Sequence, residues 1–164
     1  MSTIINGTSS AITFPDGTIQ NTAYVSTGSV LQVVNANYAT GITTTSTSPI
    51  TTGLTATITP KFANSKILVL VSMATVGSST AGCGASFYLY RNASQISYMI
   101  NNAPYGPLNS GNIIINGPST NFLDNPATTS STTYTVYFAS DNGGTVVVQR
   151  ANTNSTITLM EIAA

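Results

Sequence analysis

The sequence predicts an all-β protein: an antiparallel β-sandwich of the jelly-roll kind, a knob preceded by a short extended amino-terminal segment. Three observations predict it. Short runs of β-branched and aromatic residues recur along the chain, clusters of Gly, Asn and Ser separate them, and strong helix formers are scarce. The 164 residues suffice for one ordinary core. We therefore expect an amino-terminal segment at residues 1–28 and one β-sandwich domain at residues 29–164.

The individual strands follow from period-two alternation and from turn residues between the runs. Residues 141–144 (DNGG) and 151–155 (ANTNS) read as hairpin turns, which favours antiparallel pairing of the last strands. The predicted strands lie at 30–34, 54–59, 66–73, 87–90, 95–100, 112–116, 134–139, 145–150 and 156–162.

The strand at residues 66–73 is apolar at every position from Ile67 to Val71. A strand with one face in water would alternate between apolar and polar residues, so this strand should be covered on both faces. In an antiparallel protein the second layer covers one face. The pattern therefore predicts a partner on the other.

Tyrosines recur on one face of other predicted strands. Tyr88 and Tyr90 share a face because side chains alternate along a strand, and Tyr137 lies in a similar run. Since a tyrosine keeps a polar tip where an interface is partly wet, these three residues are candidate subunit-interface residues. Packing at the edge of the core and a ligand platform are the alternatives.

Glu161, the only glutamate, stands among apolar residues of the last strand. A buried carboxylate without a partner is costly, so a salt bridge is predicted. Arg91 and Arg150 are the candidates, because each ends a predicted strand. The alternative is that Glu161 lies at an exposed edge.

Composition argues against catalysis. The chain has no His, and its single cysteine, Cys83, therefore lacks the basic partner that a thiol nucleophile uses. Three of the four carboxylates, Asp16, Asp124 and Asp141, stand in turn contexts. We expect no enzymatic activity, no cofactor and no metal.

The formal net charge is zero and only 5% of residues are charged. Nucleic acid and anionic membranes attract basic surfaces, so neither is an expected partner. No apolar segment reaches the length that spans a bilayer, so membrane insertion is not expected either. Molecules with so little net charge repel one another weakly and associate readily, which favours a protein that is permanently part of an assembly.

Residues 12–23 read ITFPDGTIQNTA, a turn-centred segment whose short apolar pieces cannot bury a core alone. This segment resembles the I-x-F-x-D-G-T-x-Q-x-T-A stretch of bacteriophage tail fibre and related virion appendage proteins. The rest of the chain is similar to β-rich domains of phages, especially cyanophages. In the family the segment usually follows a long fibre shaft, whereas only 11 residues precede it here.

The resemblance implies a small homotrimeric fibre or spike component of a phage virion, assembled in the host cytoplasm. Its partners would be further copies of itself, other virion proteins and a host surface glycan or protein. A capsid decoration protein without a receptor site is the alternative, and a depolymerase with paired carboxylates is a third hypothesis. The residues implied in docking or trimerisation are Phe14, Pro15, Asp16, Gly17, Thr18 and Gln20.

Host contact would use loops at the distal end of the knob. The loops expected there span residues 40–49, 101–107 and 117–129. The middle loop combines aromatic and amide side chains, which suit stacking on a sugar and hydrogen bonding to it. Its candidate ligand residues are Asn101, Asn102 and Tyr105.

Overall fold

The structure, a computed structural model, describes residues 4–5, 12–14, 16–20, 25–103 and 113–164. These residues form strands throughout, with one short 3-10 turn at Arg150–Asn152. The strands are β1 (Ile4–Ile5), β2 (Ile12–Thr13), β3 (Ile19–Gln20), β4 (Val30–Tyr38), β5 (Ile42–Thr44), β6 (Ile50–Ile58), β7 (Lys66–Ser72), β8 (Thr75–Ser78), β9 (Ala85–Arg91), β10 (Ser94–Ala103), β11 (Ile113–Asn116), β12 (Ser119–Asp124), β13 (Thr132–Ser140), β14 (Val146–Val148) and β15 (Ser155–Ile162).

Two layers of four long strands make the domain. One layer has the strand order β10-β9-β13-β6. The other has the order β12-β7-β15-β4. Each of these strands adjoins a second strand across a short break along the chain, and the second strands pair in the order β11-β8-β14-β5. All pairs are antiparallel. Eight long strands in two sheets with this order form a jelly roll, as the sequence predicted.

The break in the second layer lies where β7 passes into β8 and β11 into β12. Gly117 sits against this break, and a Cβ atom there would collide with the backbone of Ala74 and the side chain of Met73. The strands can therefore bend together only because residue 117 has no side chain. The bend gives the second layer two separate outer surfaces.

The core fills the space between the layers. Alternation along β7, β15 and most of β9 and β13 points one set of side chains inward, and these are at most 3% exposed. The rings of Phe87 and Phe138 stack with their centroids 6.2 Å apart. Fully enclosed core residues include Leu54, Ile67, Val69, Leu89, Val136, Ile157 and Leu159.

Two predicted hairpins are wrong. Residues 141–144 reverse the chain, but they lead from β13 in one layer to β14 in the other, and the two strands do not pair. Residues 151–155 lie between β14 and β15, which continue one another across the bend. The two-residue hairpin that the structure does contain joins β9 to β10 at Asn92 and Ala93, where Ser94 pairs with Arg91. Turn-forming residues show that a chain reverses, not which strands then pair.

The predicted salt bridge of Glu161 with Arg91 or Arg150 is also wrong. Glu161 is fully buried and accepts hydrogen bonds from neutral donors: Gln32 Nε2 at 2.6 Å and the backbone N–H groups of Lys61 and Phe62 at 2.7 and 3.3 Å. Burial alone would raise the pKa of Glu161, but these hydrogen bonds outweigh it and hold the pKa below the ordinary value. The carboxylate thus ties the loop after β6 to β4 and β15.

Arg91 instead pairs with Asp124, its guanidinium 3.0 Å from each carboxylate oxygen. The buried Tyr134 hydroxyl donates to the same carboxylate at 2.6 Å. Burial, together with this bond to an anion, raises the pKa of Tyr134. Because Arg91 and Tyr134 belong to one layer and Asp124 ends β12 of the other, the cluster joins the two layers.

Replacing Glu161 tests the buried acceptor. Glu161→Ala leaves the backbone N–H groups of Lys61 and Phe62 without this acceptor and leaves Gln32 Nε2 with the Thr59 carbonyl as its remaining acceptor. We expect it to lower the free energy of unfolding at pH 7 by about 3 kcal/mol. Glu161→Gln keeps an acceptor and costs about 1 kcal/mol. Urea unfolding measures both.

The same variants test whether the Glu161 carboxyl is ionised in the folded protein. Because the folded pKa of Glu161 lies below the ordinary value of 4.5, its ionised form stabilises the fold above that pH, and this contribution is lost as the pH falls through the folded pKa. The stability gap between the natural chain and Glu161→Gln should therefore narrow in acid. A gap that stays constant would contradict an ionised Glu161.

Replacing Asp124 tests the tie between the layers. Asp124→Ala removes the carboxylate that the Arg91 guanidinium and the Tyr134 hydroxyl bind, so the free energy of unfolding should fall by about 2 to 3 kcal/mol. The control, Lys66→Gln, removes an exposed cation and should shift stability by less than about 0.5 kcal/mol. Equal effects of the two substitutions would contradict a structural role for the Arg91–Asp124 pair.

Candidate functional site

The amino-terminal motif forms a turn that satisfies its own polar groups. Strands β2 and β3 pair, with Thr13 opposite Ile19, and Phe14 donates to the Thr18 carbonyl at 2.8 Å. Asp16 Oδ1 accepts from the Thr18 hydroxyl at 2.6 Å and the Thr18 amide at 2.9 Å, which lowers the pKa of Asp16. Gly17 adopts φ +84°, a left-handed conformation that suits glycine.

The local turn thus explains why Asp, Gly and Thr occur in this order. Phe14 and Ile19 remain 40% and 60% exposed on either side of it. Gln20 lies in β3, and Pro15 falls outside the described residues. A docking or trimerising role for this segment stays a prediction.

Four tyrosines form one continuous group on the outer face of the layer β10-β9-β13-β6. Tyr88 stands opposite Tyr137 on one side and Tyr98 on the other. The rings of Tyr88 and Tyr98 meet edge-on with centroids 4.8 Å apart, and those of Tyr90 and Tyr137 lie 4.2 Å apart. We call these four residues the tyrosine face. The structure brings the three candidate interface tyrosines together and adds Tyr98, which sequence reasoning missed.

The tyrosine face is held in place by its neighbours. The Tyr98 hydroxyl donates to Ser86 Oγ at 3.1 Å, and Ser86 donates to Asn101 Oδ1 at 2.9 Å. Burial and the neighbouring Tyr98 raise the pKa of Tyr88. Beside the rings, threonine hydroxyls of β6 and β13 bond in pairs, Thr55 with Thr135 and Thr57 with Thr133. This surface is uncharged, aromatic and hydroxylated.

The outer face of the layer β12-β7-β15-β4 has a different chemistry. One row of paired residues crosses all four strands and is entirely apolar: Leu123, Leu68, Met160 and Val33. Leu123 and Val33 are 53% and 54% exposed, while Leu68 and Met160 are half-buried. We call these four residues the apolar row. Further apolar side chains next to it are Val30, Leu70 and Ile162.

The apolar row bears on the predicted two-sided cover of residues 67–71. Within one chain, Ile67, Val69 and Val71 are buried in the core, whereas Leu70 is 39% exposed on the outside. The second layer covers the inner face as expected. The expected partner on the outer face stays a prediction.

All three predicted distal loops contain strand residues. Asn101 and Asn102 belong to β10, and residues 119–124 of the third loop form β12. The first loop includes β5. Thr, Ser and Asn look like loop residues in sequence, but strands accept them where hydroxyls face water or bond across the sheet. Tyr105 falls outside the described residues.

The carboxylates each serve the fold. Asp124 binds Arg91 and Tyr134, Asp141 accepts from the Gly84 amide at 2.9 Å, and Glu161 is enclosed. Cys83 is buried, with its sulfur 3.3 Å from Ser140 Oγ. Among the described residues, no three His, Cys, Asp or Glu side chains come together in a way that could hold a metal ion. The described part of the chain also contains no helix long and apolar enough to cross a membrane.

The similarity of this chain to known proteins is distant. No family model and no curated protein matches the chain. Among solved structures, the chain is similar to the VP2 subviral particle of infectious bursal disease virus, with 11% identity over 81% of this chain and a TM-score of 0.45. A structure of the Gx strain of that virus gives 13% identity over 85% of this chain and a TM-score of 0.34. The chain spans 37% of the length of each.

Proposed function

We propose that this chain is a phage virion structural protein, a small fibre or spike component that works as a homotrimer and not as an enzyme. The observation that carries the proposal is the apolar row on an outer sheet face. The described carboxylates support a non-catalytic role, because each one holds a turn, a loop or the two layers together. The proposed virion location and trimeric state rest on the resemblance of residues 12–23 to virion appendage proteins.

The apolar row suits contact between copies of the chain. A second sheet that covers aliphatic side chains removes them from water, and this stabilises the contact by about 25 cal/mol for each Å² of apolar surface buried. Lys66 is a charged side chain at the edge of this face, beside Ile162. A stable interface covers roughly 800 Å² on each partner, so the apolar row would be the centre of a larger contact. In an oligomer with cyclic symmetry, every copy makes the same contacts with its two neighbours.

The chain offers a matched pair of variants on its two outer faces. Leu68→Thr with Met160→Thr removes the centre of the apolar row, while Tyr88→Thr with Tyr137→Thr removes the centre of the tyrosine face. Threonine is well suited to strands, so both variants should fold, which circular dichroism will check. By native mass spectrometry and sedimentation, we expect the natural chain to be a trimer and the first variant to dissociate.

The tyrosine variant is expected to stay trimeric. Dissociation of that variant alone would move the interface to the tyrosine face and contradict the role given to the apolar row. A natural chain that is monomeric at tens of micromolar, a concentration far above the dissociation constants of stable oligomers, would contradict the trimer itself.

The attachment role belongs to the amino-terminal segment. Strands β1, β2 and β3 pair only with one another among the described residues, so the jelly roll does not need them to complete its sheets. A chain lacking residues 1–28 should keep the circular dichroism spectrum of a β-protein but fail to join the virion. Normal incorporation into particles would contradict this role. An electron-microscopy map that places the protein at capsid symmetry axes would favour capsid decoration over a fibre.

A further inference from the structure

The second outer surface of the bent layer holds a pocket of about 270 Å³. It lies beside β14 and β5, on the other side of the bend from the apolar row. Val147 forms its apolar wall, and the pairing of Val147 with Gly77 leaves one neighbouring position without a side chain. The remaining lining residues are hydroxylated or cationic: Thr43, Ser78, Ser79, Thr145 and Arg150.

Arg150 is a cation without an ion-pair partner among the described residues, in a chain that has very few cations. The sequence contains four basic residues and four acidic ones, and the structure describes all four carboxylates. The one salt bridge among the described residues joins Arg91 to Asp124. Arg150 has no carboxylate within 4.0 Å in the described part of the chain, and its half-buried guanidinium makes no hydrogen bond there. Its charge is therefore available to a ligand.

An irregular backbone places Arg150 at this pocket. Val148 points into the core, so plain alternation would put Gln149 outside and Arg150 inside. Gln149 instead adopts φ 47° and ψ 39°, which turns its side chain inward and leaves Arg150 on the outer surface with Val147. Ala151 and Asn152 follow at φ 57° and 58°.

This arrangement costs stability. Non-glycine residues in the left-handed region carry strain of order 1 kcal/mol each. The buried amide of Gln149 adds to the cost, because both of its polar atoms lack a hydrogen-bond partner among the described residues. Local strain of this kind occurs where a side chain is held for a function.

The hydroxyls beside Arg150 are also free to bind. Thr43, Ser79 and Thr145 make no side-chain hydrogen bond to any described residue, and Thr43 and Ser79 are exposed. A guanidinium pairs with an oxyanion through two parallel hydrogen bonds, and neighbouring hydroxyls can donate to or accept from hydroxyl groups. The pocket therefore combines one anion receptor with several partners for a polyhydroxylated molecule.

We propose that this pocket binds an acidic sugar unit, with its oxyanion on Arg150 and its hydroxyl groups on Thr43, Ser79 and Thr145. The volume, about 270 Å³, is at the small end of ligand pockets and suits one monosaccharide ring. The acidic group can be a carboxylate or a phosphate ester, since a guanidinium accepts both. This site is separate from the apolar row and does not depend on trimer formation.

The test is an NMR titration of the full chain, followed at the Arg150 side-chain N–H and the Thr43 amide. The probes are D-glucuronate, a glucose phosphate ester, D-glucose and inorganic phosphate at matched concentration. We expect at least one acidic sugar to shift both signals, D-glucose to shift neither, and inorganic phosphate to bind more weakly than the acidic sugar. Whether the carboxylate or the phosphate ester binds identifies the acidic group.

Variants then separate this site from a general effect of charge. Arg150→Gln should weaken binding by about tenfold or more, because a charge-assisted bidentate pair is lost. Lys66→Gln removes an exposed cation elsewhere and should leave binding unchanged. Thr43→Val should weaken the acidic sugar by a few-fold and leave inorganic phosphate unaffected.

The proposal would be overturned by no shift with either acidic sugar, by equal binding of D-glucose, or by full binding by Arg150→Gln. Inorganic phosphate binding as tightly as the acidic sugars would show that the hydroxyls play no part, which would overturn the assignment to a sugar. The spectrum of each variant without ligand reports whether it is folded, so loss of binding is not confused with loss of structure.

Discussion

The whole fold depends on the alternation of side chains across two sheets that share one dry core. Each long strand sends every second side chain inward, and on β9, β13, β7 and β15 those side chains have essentially no exposed surface. In a chain with eight charged residues in all, burial of apolar surface must supply nearly all the stability. The few ionic groups then have a narrower task, which is to fix how the layers and loops sit.

The polar groups inside the domain show two ways of satisfying a buried carboxylate. Asp124 has a cation and a phenol as partners, and it connects the layers. Glu161 has only neutral donors, yet three of them converge on it, and they hold the loop after β6 against the end of β15. Backbone N–H groups can replace a counter-ion because several of them together hydrogen-bond the charged form of the carboxylate and so favour it.

Much of the fold could be predicted from sequence because the main rule is local. Alternation puts Tyr88 and Tyr90 on one face of a strand, and the structure buries Phe87 and Leu89 of the opposite face in the core while the two tyrosines stay partly exposed. Tyr98 escaped prediction because register shifts interrupt β10 on both sides of it, so counting by twos along that strand fails. The pairing of Arg91 with Asp124 depends on which strands meet across the core, and no local pattern contains that information.

The bend at Gly117 decides how many surfaces this small domain can present. A single flat layer would expose one outer face, but the break divides it into the apolar row on one side and the Arg150 pocket on the other. Aliphatic contact and charged recognition can therefore occupy the same four chain segments without sharing a side chain.

The strand order has a consequence for how the protein is made. β4, the first long strand, pairs along its length with β15, the last, and β15 lies between β4 and β7 in its layer. That layer cannot close until β15 has left the ribosome, so one edge of β4 and one edge of β7 stay unpaired until then. Non-local pairing of this kind slows folding and exposes sheet edges to other chains. The period before β15 emerges is therefore when the exposed edges of β4 and β7 can pair wrongly with other chains.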